Sequence, residues 1–179
     1  LKSRVNVSAA QTISTNYLFE DSLLRNKIAP YIIKCIGDKK IAFIAININP
    51  KGLVSAENYV GVGYIDGQLM ADSIAKQLKE DFGADYVVAL THIGYDDDVK
   101  LAKGSRYIDV IIGGHTHDLI NSADKNCKLA HKVVNQNGDS VLIAQADKSG
   151  RYVGEVTLDL DNGDKHSKVI AVDSRLDRV

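Results

Sequence analysis

The chain has 179 residues, 45% of them hydrophobic and 25% charged, and carries a formal net charge of −1. This supports one globular domain with a real core, and a near-neutral balance with Lys and Arg spread along the chain argues against a nucleic-acid surface. No apolar run approaches the roughly 18–20 residues of a membrane span.

The chain opens on Leu1-Lys2-Ser3-Arg4 and its single Met is Met70, so it reads as an excised or processed piece. "VNVSAA" (5–10) reads as a buried strand, and the polar stretch 11–25 shows too little periodicity to assign. "YIIKCIGDKKIAFIAI" (31–46) is two β-branched runs joined by Gly37-Asp38-Lys39-Lys40, a hairpin signal. "DGQLMADSIAKQLKEDFG" (66–83) places Leu69, Ile74, Leu78 and Phe82 near helical spacing, with Gly83 suited to end the helix.

"DYVVAL" (85–90) is a continuous apolar strand that runs into Thr91-His92. "DDDVKLAKGS" (96–105) reads as a short helix with acidic residues at its positive end and Gly104 at its stop. "YIDVIIGG" (107–114) is the next buried strand, and strand–helix–strand order implies a parallel βαβ unit. Beyond His117 the pattern becomes antiparallel. Hairpins are expected over 131–146, pivoting on Asn137-Gly138, and over 152–172, pivoting on Asn162-Gly163. Cys35 and Cys127 form no CxxC motif, and their spacing fits two free thiols or one disulfide.

The chemistry-bearing residues gather at strand ends. Ligands of open α/β sheets sit beyond the carboxyl ends of the strands. His92 lies two residues past "VVAL", and His115 and His117 lie just past "VIIGG". Parallel strands bring all three imidazoles to one edge, where neutral imidazole can ligate a first-row metal. Gly113 and Gly114 are expected to permit a sharp exit with backbone angles other residues resist. A polar turn with no special role is the competing reading. Asp96, Asp97 and Asp98 suit either helix capping or a carboxylate cluster. His131 and His166 flank hairpins and read as surface residues.

"VVALTHIGYDDDVKLA…IDVIIGGHTH" resembles the calcineurin-like metallophosphoesterases, and most closely their 5′-nucleotidase branch. "VSAA", "APYIIKCIGDKKIAFIAI" and "LIAQADKSGRYVGEVTLDLDNG" are similar to flanking strands of that branch. The resemblance implies an α/β fold, a partial metallophosphatase four-layer α/β/β/α sandwich, with residues 1–174 its C-terminal part and 175–179 the possible start of a linker. It also implies that His92 and His115 ligate one of two divalent metals (Zn, Mn or similar) and His117 the other. The activity implied is hydrolysis of nucleotide phosphate monoesters, using a metal-activated water. A periplasmic or extracellular location is implied by resemblance alone.

The family's earlier Asp-x-His and Gly-Asn-His-Asp/Glu motifs do not precede "THIG", and the Gly-Asp at Gly37-Asp38 lies in a hairpin rather than ahead of an Asn-His motif. The sole Asp-x-His, Asp164-Lys165-His166, sits beside a late hairpin turn and reads as a chance match. The catalytic residues and the bridging carboxylate are therefore expected outside this chain, which alone is expected to be inactive. Two other readings stand beside the enzyme fragment. One is an inert module associating with itself, a partner or a missing N-terminal half; the other is a mononuclear three-histidine metal domain.

Overall fold

The computed structural model describes residues 2–124 and 126–172; the expected linker start at 175–179 lies outside them. In chain order the elements begin with α1 (Lys2–Val7), β1 (Thr12–Ile13), β2 (Tyr17–Phe19), α2 (Ser22–Lys27) and β3 (Ile28–Ala29). Next come β4 (Tyr31–Ile36), β5 (Lys39–Asn47), β6 (Val62–Tyr64), α3 (Gly67–Glu80), β7 (Tyr86–His92), α4 (Tyr95–Gly104) and β8 (Val110–Ile112). The remainder are β9 (Leu119–Ile120), β10 (Lys132–Val134), β11 (Ser140–Ala146), β12 (Tyr152–Leu158) and β13 (Lys165–Ala171).

The main sheet of the described residues runs β10-β11-β8-β7-β5-β4, with β9 paired to β11. Its centre is parallel: β5 with β7, β7 with β8, and β8 with β11. Both β4 and β10 pair antiparallel at the flanks. The expected βαβ unit through α4 is present, and a second runs from β5 through α3 to β7. The hairpins at Gly37, Asn137-Gly138 and Asn162-Gly163 form as expected, each with its glycine at positive φ. The back half is nevertheless not purely antiparallel, because β11 leaves its hairpin to run parallel to β8. Its run Val141–Ala144 is buried on both faces, as a central parallel strand requires.

One face of the sheet packs on the helices. Ala71, Ala75, Leu78, Leu101 and Ala102 meet Ile44, Ile46, Val87, Ala89, Ile111 and Ile143 in one cluster. Each fully buried aliphatic side chain contributes roughly 1.5–3 kcal/mol. On the other face the β12–β13 hairpin covers Ile41, Val88, Val110 and Leu142 through Val156 and Leu160. The described residues thus form an α/β/β stack of mixed parallel and antiparallel strands, consistent with a partial α/β/β/α sandwich. Further along that second face, toward the strands' carboxyl ends, Leu90 and Ile112 remain 38% and 36% exposed.

Three local expectations are corrected. Residues 5–10 are not a strand: Val5 lies in α1 and packs with Leu24 and Ile28, while Val7 and the residues after it are exposed. Helix α3 is present, but its buried stripe is Gly67, Ala71, Ala75 and Leu78, whereas Leu69 and Phe82 are exposed. Small residues let the helix approach the sheet closely; a Cβ on Gly67 would strike Ile46 Cγ2. Gly104 lies inside the last turn of α4 without positive φ, and extended Ser105 caps the helix.

Candidate functional site

The parallel registers place the histidines. Asn47 of β5 lies opposite His92, and Leu90 of β7 lies opposite Ile112, so β5, β7 and β8 finish on one edge. His92 is the last residue of β7, and His115 stands three residues beyond β8. Their rings meet edge to face, with centroids 5.3 Å apart and planes at 69°. Burial, and then the neighbouring His115 and His117, hold the His92 imidazole below its ordinary pKa. His117 is exposed on the same loop.

The loop geometry differs from the expected one. Positive φ falls on the histidines, 81° at His115 and 60° at His117, and not on Gly113 or Gly114. Thr116 N–H donates to the Gly114 carbonyl at 3.1 Å, closing a γ-turn around His115. Such a turn is uncommon for a side-chain-bearing residue and stores strain. The two glycines serve close approach instead. A Cβ on Gly113 would collide with Asp98 Oδ2, and one on Gly114 would come within 3.0 Å of His92 Nδ1.

Asp98 is not the capping residue expected of an Asp-Asp-Asp run. Gly94 occupies the N-cap of α4 and has no side chain to cap it, so none of the three aspartates is the N-cap. Asp98 turns inward, fully buried, and its Oδ1 accepts the Thr91 hydroxyl at 2.6 Å. Oδ2 has no hydrogen-bond partner. Burial raises the Asp98 carboxyl to about 7, and the Thr91 hydrogen bond opposes that rise only in part. One sequence signal was available: Asp98 lies in helical register with buried Leu101 and Ala102, a carboxylate on the apolar stripe.

The other candidates fall elsewhere. His166 is exposed on β13, and the turn before it touches Tyr86 at the opposite end of β7 from His92. The Gly37-Asp38 turn also lies at that far end, ahead of β5. His131 is half-buried, with Nδ1 unbonded, rather than freely exposed. Cys35 and Cys127 are free thiols. No helix of the described residues is long and apolar enough to cross a membrane.

Two divalent cations call for carboxylates, and especially for one shared between them. The carboxylates near the imidazoles are engaged elsewhere: Asp98 is turned inward behind Gly113, and Asp118 accepts the Thr116 hydroxyl. Among the described residues, no group of three or more His, Cys, Asp or Glu converges as a metal-holding cluster. The residues present therefore do not fit a two-metal centre by themselves.

No protein-family model matches the chain. It is 31% identical over 134 residues to the trifunctional nucleotide phosphoesterase YfkN of Bacillus subtilis, covering 75% of this chain and 8% of that protein. It is 32% identical over 151 residues to an apyrase of Tabanus yao, covering 78% of this chain and 27% of that protein. The solved 5′-nucleotidase precursor from Thermus thermophilus superposes with a TM-score of 0.80 at 26% identity, covering 96% of this chain and 35% of that one. The chain thus spans only a minor part of these relatives, 35% at most. By sequence and by fold, it belongs to the calcineurin-like phosphoesterases of the 5′-nucleotidase group, matching one segment of those proteins.

Proposed function

We propose that the chain, over residues 1–174, is part of a metal-dependent phosphoesterase domain whose parent hydrolyses nucleotide phosphate monoesters. The observation that carries this reading is the 5.3 Å pairing of His92 and His115, with His117 on the same loop, at the carboxyl edge of a parallel sheet. In the parent these imidazoles ligate two divalent metals, and carboxylates from a preceding segment complete the donor set. A periplasmic or extracellular setting goes with that parent.

This chain alone is expected to be inert. Incubated with p-nitrophenyl phosphate and Mn²⁺ or Zn²⁺, it gives negligible turnover; robust turnover abolished by His115→Ala overturns the incomplete-site reading. The coding frame upstream of Leu1 should supply Asp-x-His and Gly-Asn-His-Asp/Glu, and their absence sinks the enzymatic parent. The longer protein should hydrolyse nucleoside monophosphates and lose that activity to a chelator.

A second reading is an inert module that associates with itself or a partner. Exposed Leu90 and Ile112, side by side on the open part of the sheet face, favour it. Sedimentation over a concentration series tests self-association, and a monomer throughout removes that form of the reading.

A further inference from the structure

Gln145, next to the end of β11, is 3% exposed and follows the apolar run Val141–Ala144, and no metal-ligand role accounts for it. Its side chain reaches across to the loop beyond β8. Oε1 accepts the Asp118 N–H at 2.6 Å, and Nε2 donates to the Gly114 carbonyl at 3.4 Å. One amide therefore spans the five-residue segment whose second and fourth members are His115 and His117. Both histidines sit at positive φ, a conformation costing about 1–3 kcal/mol per residue unless the surroundings fix it.

Other bonds converge on the same segment. The Thr116 hydroxyl accepts Tyr95 N–H at 3.1 Å and donates to the Asp118 carboxylate, tying the middle of the loop to α4. Asp147 N–H donates to the Asp118 carbonyl at 2.8 Å, and β9 begins its pairing with β11 directly after. Gln145 is the side chain that holds both ends of the segment at once. An apolar residue of equal volume would pack against the same neighbours but leave the Asp118 N–H and the Gly114 carbonyl without this partner.

We propose that Gln145 is a positioning residue that fixes the strained loop and so aims His115 and His117 over the strand edge. Its functional meaning rests on the proposed phosphoesterase reading; its geometry does not.

The test is NMR on the full chain without added metal, comparing Gln145→Leu, Gln145→Glu and the core control Val141→Ala. In Gln145→Leu the Asp118 amide should exchange about tenfold faster relative to β7 amides, the loss expected for one part-buried hydrogen bond. The ring resonances of His115 and His117 should move while those of His166 stay. Gln145→Glu keeps an acceptor for Asp118 N–H but loses the donor to Gly114, so Asp118 stays protected while both rings shift. Val141→Ala lowers stability without selectively moving either ring.

Unchanged exchange and rings in Gln145→Leu overturn the proposal, as do equal ring shifts in Val141→Ala. If the leucine variant does not fold, unmoved rings in Gln145→Glu overturn it instead. Since no metal or substrate enters, a failed phosphatase assay leaves this result standing, and the converse also holds.

Discussion

Thr91 and Asp98 are joined by a buried 2.6 Å hydrogen bond that ties the residue before His92 to the helix behind it. The bond leaves Asp98 with one unpartnered oxygen and a carboxyl raised to about 7 by burial. Between about pH 4 and 7 the folded chain therefore keeps a proton that the unfolded chain gives up. Stability should fall as pH rises through that window, by up to about 1.4 kcal/mol per unit. Asp21, Asp85 and Asp159 are held below the usual range by hydrogen bonds and act in the opposite sense at lower pH. The difference between variants is therefore the informative quantity. Asp98→Asn keeps an acceptor for Thr91 and removes the charge, so its urea midpoint should decline less than wild type from pH 4.5 to 8. Parallel declines would show that Asp98 does not titrate there.

The same carboxylate makes Gly113 irreplaceable for a steric reason. A Cβ there meets Asp98 Oδ2, with Gln145 Nε2 also 3.3 Å away. Gly113→Ala should cost about 1–3 kcal/mol, the range for overpacking a filled site. The added cost of Gly113→Ala should shrink in an Asp98→Ala background, because the colliding atom is gone. A double-mutant cycle by urea denaturation measures that coupling, and strict additivity would locate the cost elsewhere.

The histidine edge was legible because strand order, apolar runs and His spacing all point to it. What held the edge together was less so. Gln145 reads as one polar letter in an apolar strand, and its partners lie 27 and 31 residues away. Asp98 is hidden in a run whose other members face solvent or the helix end. Sequence spacing also cannot say that β11 pairs with β8, since the alternation within a hairpin does not specify a third neighbour. The first residues misled for a related reason. Val5 and Val7 alternate like strand residues, yet only Val5 finds a partner surface, and a helical turn is enough to present it.

Weighting large apolar residues found only part of the buried face of α3, Leu78 and the partly buried Ile74, and missed its small residues, which yields a contrast between two helix glycines. Gly67→Ala should destabilise although alanine is the better helix former, because its Cβ would strike Ile46. Gly104 lies at the other extreme, with nothing within 4 Å of its Cβ position and no positive φ. Gly104→Ala should stabilise by about 0.4–1 kcal/mol through reduced freedom of the unfolded chain. Thermal melts of the two variants should move in opposite directions. A stabilised Gly67→Ala would mean that the helix can rise off the sheet at little cost.

The positive φ at His115 and His117 makes a prediction separable from any ligand. Glycine adopts this conformation freely, whereas a β-branched residue adopts it at substantial cost. Without metal, His115→Gly should be more stable than His115→Val by about 1–2 kcal/mol, and the same order should hold at position 117. At an ordinary extended or helical position the order reverses, since glycine there costs about 0.5–1 kcal/mol relative to alanine. Urea denaturation of the four variants decides between these cases. Valine equal to or better than glycine at both positions would show that the loop relaxes out of the left-handed region in solution. The imidazoles would then be presented by a flexible segment, and the Gln145 clamp would have nothing to hold.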